Sequence, residues 1–177
     1  MKGRPAPASG LLRQIDALAR AVLPGGLTAL LLMLAVVPVG VPGLVPAVAL
    51  PCVFFWSVFR PAALPPPAVF ALGLLQDLLT AAPLGTGGLV LLVVHGLAAR
   101  WRRLLVKQSF LLVWLAFCAF TAGAAALGGA LQALLTWQVL PVPRGVWQAL
   151  LTAGLYPALA WLLTRVHEAM TRAEAAP

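Results

Sequence analysis

Acidic side chains are scarce in this sequence, with only 4 Asp and Glu against 12 Lys and Arg among 177 residues. Charged residues of both signs make up 9% of the chain, whereas 62% of it is hydrophobic. A soluble domain carries about 25% charged residues, so a water-soluble fold of this size could not cover its surface. The high apolar content also excludes an intrinsically disordered chain. The sequence therefore predicts a small, one-domain protein that folds in a lipid bilayer.

Histidine and cysteine are equally rare, with two of each: His95, His167, Cys52 and Cys118. Both cysteines lie in apolar runs, so we expect no disulfide framework. Neither residue type clusters with the few acids at ligand spacing, and we expect no metal site and no cofactor. The sequence also lacks a Ser-His-Asp or Cys-His arrangement, and no two acids share a helix face. These absences predict a protein that is not an enzyme.

Long uncharged runs define six candidate helices. The run between Arg20 and Arg60 contains no charged residue and is long enough for two helices of about 20 residues each. Proline and glycine clusters, such as residues 38–43, mark the turns. The predicted spans are residues 21–38, 44–59, 66–81, 85–99, 109–136 and 146–164. The third and fourth are short, so either the bilayer thins around them or the pair is partly re-entrant.

Basic residues lie almost entirely on one side of this six-helix arrangement. With the N-terminus in the cytoplasm, Arg144 is the only one of the 12 Lys and Arg on the outside. In membrane proteins, the loops on the cytoplasmic side typically carry such an excess of Lys and Arg. We therefore predict an all-α, polytopic membrane bundle with both termini in the cytoplasm. Its parts are a cytoplasmic N-terminal segment over residues 1–20, a membrane domain over 21–165 and a cytoplasmic tail over 166–177.

The net charge of +8 is explained by this orientation, and we expect no nucleic-acid partner. The densest basic cluster consists of Arg100, Arg102, Arg103 and Lys107. Its expected roles are orientation and attraction to anionic membrane lipids, and the alternative is a docking site for a cytoplasmic partner.

Further predictions concern the two ends of the chain and the tryptophans. The segment from Ser9 to Leu23 places apolar and charged residues on opposite sides, which predicts an interfacial helix or, alternatively, a solvated lead-in. The tail from Thr171 to Pro177 is expected to be frayed. Most tryptophans lie near predicted span ends, as in an aromatic belt: Trp56, Trp101, Trp137, Trp147 and Trp161.

Asp77 is the only acid inside a predicted span. An ionised carboxyl group at the bilayer centre costs about 2.5 to 3.5 kcal/mol on insertion scales, so it must face protein or water. Gly73, Asp77 and Thr80 share one helix face, with Gln76 beside them, and this polar stripe should point into the bundle. The carboxyl group is a structural anchor, a substrate or proton site, or the cap of a broken helix. We favour the anchor because a transporter normally needs more than one such group.

The backbone amides of residues 83–88 are the expected partners of Asp77. These residues open the fourth helix, whose N-terminal amides and dipole attract a carboxylate. Arg60 is a poorer partner, because about 17 Å of depth separates it from Asp77. His95 should form a hydrogen bond across helices as a neutral imidazole, or extend toward the interface. A small-residue face on the fifth helix packs inside the bundle or against a partner helix; it consists of Ala116, Ala119, Gly123, Ala126 and Ala130.

Two stretches of the chain carry a recognisable pattern. Residues 55–61 read Phe-Trp-Ser-Val-Phe-Arg-Pro, and residues 73–85 read Gly-Leu-Leu-Gln-Asp-Leu-Leu-Thr-Ala-Ala-Pro-Leu-Gly. This pattern resembles the MreD family of rod shape-determining proteins, whose members share an aromatic-rich helix ending in Arg-Pro and a Gly-Leu-x-x-Asp-Leu-Leu run leading to Pro-Leu-Gly. The motif residues that match by position, with a structural or partner-binding role, are Arg60, Pro61, Asp77, Pro83 and Gly85.

The resemblance implies a non-catalytic scaffold of the bacterial inner membrane that acts in cell shape and cell-wall elongation. It implies binding to the single-span protein MreC and, through it, a link between MreB filaments and the synthases RodA and penicillin-binding protein 2. The family fold is similar to the six-helix substrate-binding subunits of energy-coupling-factor transporters. The residues themselves leave two other functions open, namely a substrate-binding subunit of a vitamin-type transporter and a lipid-handling protein.

Overall fold

The computed structural model describes residues 22–35, 47–137 and 142–175. Most of the predicted interfacial helix, the predicted turn at 38–43 and the last two residues of the chain lie outside these ranges. The described residues form six α-helices and no β-strand, which confirms the all-α class. The helices are α1 (Val22–Ala35), α2 (Ala49–Phe59), α3 (Pro66–Thr80), α4 (Thr86–Leu105), α5 (Phe110–Thr136) and α6 (Val142–Ala175). A short 3-10 turn at Pro61–Ala63 joins α2 to α3.

The central helix of the bundle is α2. Every residue from Ala49 to Val58 is buried, as expected for a helix that is apolar around its whole circumference. Phe54, near its middle, contacts Phe117 and Phe120 of α5 at ring-centroid distances of 5.3 and 5.2 Å. The Tyr156 ring of α6 lies 5.9 Å from the Phe54 ring and stacks on Phe117 at 4.2 Å. This aromatic cluster joins α2, α5 and α6.

Trp56 belongs to this core and is not an interfacial anchor. Its exposed fraction is 0%, whereas those of Trp101 and Trp161 are 53% and 64%. The prediction for Trp56 is wrong because a position near a span end fixes the depth of a side chain, not the direction in which it points. Since α2 is surrounded by other helices, its tryptophan points into protein at any depth.

Two of the described helices, Phe110–Thr136 and Gly145–Arg172, are long and apolar enough to cross a membrane. The helices Val22–Ala35, Ala49–Phe59 and Pro66–Thr80 are apolar but shorter. Large apolar side chains are exposed on the long helices, including Leu111 and Leu150 with exposed fractions of 59% and 58%. Exposed apolar area of this kind is expected where helices contact lipid rather than water.

Two helices extend beyond their predicted ends. The sequence predicts that the fourth helix stops near residue 99, but α4 continues to Leu105. Arg and Leu are good helix formers, so the charges that mark a membrane boundary do not end a helix. The sixth helix was predicted to end at residue 164, with a frayed tail from Thr171, but α6 continues to Ala175. No Gly or Pro interrupts residues 158–175, and Met170 is buried near the helix end.

Pro157 interrupts the hydrogen-bond ladder of α6 without ending the helix. Proline has no N–H, so the carbonyl of Ala153, four residues earlier, lacks its usual helical donor. The indole Nε1 of Trp114 on α5 donates a hydrogen bond to this carbonyl at 3.0 Å. The neighbouring helix thus satisfies the group that proline leaves free, as required in surroundings without water.

Trp114→Phe should therefore lower the free energy of unfolding by about 1 to 2 kcal/mol, because the ring stays but the Ala153 carbonyl loses its donor. The measurement is a titration of the detergent-solubilised chain with sodium dodecyl sulfate, followed by circular dichroism. The matched control is Trp147→Phe, since Trp147 is exposed and should tolerate the change. In a Pro157→Ala background the helix supplies its own donor, so Trp114→Phe should become nearly neutral. An equal loss in both backgrounds would contradict the assignment.

Candidate functional site

The candidate site is the hairpin between α3 and α4. After α3, Ala81 adopts a left-handed conformation with φ 52°, and the N–H of Ala82 donates to the carbonyl of Asp77 at 3.0 Å. This arrangement is a Schellman-type helix end. Gly85, with φ 94°, then caps the start of α4, a conformation that glycine adopts without strain. The chain thus reverses direction between the end of α3 and Thr86.

The side chain of Asp77 joins the two helices of this hairpin. Asp77 is 2% exposed, and its Oδ2 accepts a hydrogen bond from the Gly85 N–H at 2.8 Å. The Gly87 N–H donates to Oδ1 at 2.9 Å, with Oδ2 at 3.1 Å. The first amides of a helix have no helical acceptor, and they form the positive end of its dipole. The predicted contact between Asp77 and the amides of residues 83–88 is confirmed.

Pro83 and Thr86 complete the turn. The hydroxyl of Thr86 donates to the Pro83 carbonyl at 2.8 Å and lies 3.5 Å from Oδ1 of Asp77. Because a hydroxyl has one hydrogen, its good bond is the one to Pro83. Thr80 was predicted to share the polar face that points into the bundle, but it is exposed. Its hydroxyl donates to the Gln76 carbonyl of its own helix at 2.8 Å, so Thr80 is not part of the site.

Three glycines bring the backbones of α3 and α4 into contact. A Cβ added at Gly73 would overlap the backbone of Gly88, and one added at Gly87 would overlap Oδ1 of Asp77. A Cβ on Gly88 would lie 2.7 Å from the Phe70 ring. Residues without side chains permit this close approach, and it allows a side chain as short as that of Asp77 to reach the other helix. This contact was not predicted from the sequence, although Gly73 and the Gly87-Gly88 pair were its signal.

Arg60 and Pro61 lie at the opposite end of α3 from Asp77. The Arg60 N–H donates to the Trp56 carbonyl at 2.8 Å as α2 ends, and Pro61 starts the 3-10 turn. The guanidinium Nη1 of Arg60 lies 3.9 Å from the Met170 sulfur, close to the end of α6. The five predicted motif residues therefore form two groups, one at each end of α3.

A comparison with known protein families gives a match that includes both groups of motif residues. A family model described as rod shape-determining protein MreD matches residues 20–166. The chain belongs to the MreD family. The match includes α1 to α5 and most of α6, and no curated protein or solved structure matches the chain. Membership assigns a role in rod-shape determination to this membrane-associated chain, in a family of structural components rather than enzymes.

A second buried polar contact in this MreD-family chain joins α2 to α4. The His95 Nδ1 lies 2.7 Å from the Ser57 hydroxyl, which donates its own hydrogen to the Val53 carbonyl at 2.5 Å. Ser57 thus links His95 on α4 to the backbone of α2. The predicted hydrogen bond of His95 across helices is confirmed.

The small-residue face of α5 points away from the bundle of this MreD-family chain. Ala119, Gly123, Ala126 and Ala130 are exposed, and Ala116 is partly buried. Of the two roles that the sequence leaves open for this face, packing inside the bundle does not hold. Within the described ranges, no group of three or more His, Cys, Asp or Glu side chains could hold a metal ion.

Proposed function

We propose that this chain is a non-catalytic, six-span scaffold of the cell-wall elongation complex in the bacterial inner membrane. The observation that carries the proposal is that the carboxyl group of Asp77 binds backbone amides at the start of α4. Both of its oxygens accept hydrogen bonds from amides of the same chain, so the carboxyl group is occupied in holding the hairpin. A substrate or proton site would instead require that this hairpin open. Family membership supplies the biological setting, which is rod-shape determination.

The proposed topology places both termini in the cytoplasm, with segments 1–20 and 166–177 on either side of the membrane domain 21–165. The basic residues support this orientation, since Arg144 is the only one of 12 left outside. A helix as short as α2 is compatible with it, because α2 is enclosed by other helices and needs no lipid-matched length. The helical end of α6 then extends from the membrane into the cytoplasm.

The partners we propose are MreC and, through it, MreB filaments, RodA and penicillin-binding protein 2. In this proposal Asp77, Pro83 and Gly85 fix the α3–α4 hairpin. Arg60 and Pro61 fix the junction of α2 with α6 at the other end of α3. Together the two groups hold the shape of the surface that recruits MreC. Family membership and the placement of both groups at the ends of one helix support this assignment.

Asp77→Ala tests the proposal through the recovery of MreC. MreC that co-purifies with the detergent-solubilised chain should fall to background, and the variant should fail to restore rod shape in cells that lack the wild-type protein. MreC is counted per copy of the chain in the membrane, so that a lower level of the variant does not imitate lost binding. The matched control is Thr80→Ala, one turn along the same helix, which should retain MreC and rod shape.

Two outcomes would contradict the scaffold. An Asp77→Ala chain that binds MreC and restores rods like the wild type would remove the proposed role of the hairpin. A small molecule that mass spectrometry finds with the wild type but not with Asp77→Ala, while MreC binding persists, would indicate the transporter-type alternative.

A further inference from the structure

A basic surface lies at the end of α4 and in the turn to α5. Its four cations, Arg100, Arg102, Arg103 and Lys107, are all exposed. The salt bridge between Arg172 and Glu168 on α6 does not involve them. The sequence contains no acid between Asp77 and Glu168. Among the side chains that the structure describes, none therefore forms a salt bridge with these cations.

Exposed apolar side chains are interleaved with these cations. Trp101, Leu104 and Val106 have exposed fractions of 53%, 67% and 48%, and Phe110 at the start of α5 has 56%. Aromatic rings, apolar side chains and long cationic side chains occur together where hydrocarbon meets lipid headgroups, since each then contacts the medium that suits it.

The position of the cations along α4 gives the depth of this surface. Leu89, Val93 and Leu97 are exposed at a spacing of four residues, which places them along one side of the helix. Arg100 and Arg103 continue on the adjoining part of that side, and Arg100 lies about 5 Å beyond Leu97 along the axis. Lys107 follows in the turn after α4. In the orientation proposed above the apolar stripe faces lipid, so the cations lie at the level of the cytoplasmic headgroups.

We propose that this α4 basic surface, residues 100–107, binds the phosphate headgroups of anionic phospholipids in the cytoplasmic leaflet. Trp101 and Leu104 contact the upper part of the acyl chains. This inference rests on the membrane orientation given under the proposed function. An acidic soluble protein would match the charges, but it would not account for the apolar side chains among them. A lipid matches both at once.

Native mass spectrometry of the full chain in detergent tests the proposal. The chain is titrated with phosphatidylglycerol or phosphatidylcholine that carry identical acyl chains, and the affinity for each lipid is measured. We expect the wild type to bind phosphatidylglycerol more tightly. The double variant Arg103→Gln/Lys107→Gln should bind it about 25-fold more weakly, about fivefold for each charge, with little change for phosphatidylcholine. Added salt should narrow the difference between the two lipids.

The matched control is Arg172→Gln, which removes an exposed cation of α6 that already pairs with Glu168 and should leave lipid affinity within about twofold. All three mutated side chains are exposed, so thermal unfolding should be unchanged and can be checked on the same samples. Inorganic phosphate should compete poorly, because it offers nothing to Trp101 and Leu104.

Unchanged phosphatidylglycerol affinity in the double variant would overturn the proposal. So would a variant that keeps its lipid preference but loses a bound protein, because the surface would then bind that protein. Either failure is distinguishable from failure of the scaffold, whose readouts are MreC recovery and rod shape in the Asp77 variant.

Discussion

Asp77→Asn should lower the free energy of unfolding of this chain by about 3 kcal/mol, because hydrogen bonds to an ionised group contribute about 1.5 to 3 kcal/mol each. The carboxyl group accepts from two amides, with one oxygen for Gly85 and the other best placed for Gly87. Asparagine keeps the shape of the side chain but has one carbonyl oxygen. Its NH₂ group would face an N–H donor, so at least one amide of α4 loses its acceptor.

The matched control for Asp77→Asn is Glu168→Gln, which makes the same change of charge at an exposed position. Glu168 pairs with Arg172 at 3.7 Å, with both side chains more than half exposed, and such pairs contribute little. Titration with sodium dodecyl sulfate compares the two variants under identical conditions. If both variants lower the free energy of unfolding by a similar, small amount, the hydrogen bonds of Asp77 in the hairpin do not stabilise the fold.

Gly73→Ala should lower the free energy of unfolding by about 3 kcal/mol, as much as Asp77→Asn does. The new Cβ would overlap the backbone of Gly88, and a backbone cannot swing aside as the end of a side chain can. Inserting a methyl group into a close-packed contact costs about 1 to 3 kcal/mol. Separating α3 from α4 also moves Asp77 away from the amides that it binds, which adds to the loss.

Gly96→Ala is the control for Gly73→Ala, because Gly96 lies within α4 and an added Cβ would meet nothing within 4 Å. Alanine is the better helix former, so this variant should be more stable by about 0.5 to 1 kcal/mol. The two glycine variants should thus change stability in opposite directions. A destabilisation by Gly96→Ala equal to that by Gly73→Ala would show that the helix contact is not the cause.

The combination of Gly73→Ala with Asp77→Asn tests whether the two residues act together. If Gly73 acts partly by letting Asp77 reach α4, the double variant should lose less than the sum of the single losses. A sum that is additive within about 0.5 kcal/mol would mean that the two contacts are independent.

The hairpin could be predicted from sequence because its signals are local. An isolated acid in an apolar helix needs donors, and the residues that follow it include a glycine turn and the start of the next helix. The hydrogen bond of His95 across helices was predicted for the same reason, because an imidazole among apolar residues requires a partner. The sequence did not say that Ser57 would be that partner, since the two residues are distant in the chain.

The features that sequence reasoning missed depend on which helices are neighbours. Trp56 could be placed near a helix end but not inside the core, because burial on all sides of α2 follows from the packing of α3, α4, α5 and α6 against it. The bond from Trp114 to the carbonyl that Pro157 leaves free requires the register of α5 against α6. The hydrogen bond from the Ala47 N–H to the Thr152 hydroxyl at 3.1 Å likewise depends on the position of α6 beside the start of α2.

Hydrogen exchange at the amides of Gly85 and Gly87 measures most directly whether Asp77 holds the hairpin. Nuclear magnetic resonance of the chain with isotope-labelled glycine can follow both amides, with Gly96 inside α4 as the internal reference. Slow exchange of both amides is expected in the wild type, and Asp77→Asn should accelerate it on the order of 100-fold while Gly96 stays protected. If the amides of Gly85 and Gly87 exchange as fast in the wild type as in Asp77→Asn, the structural role of this carboxyl group is contradicted.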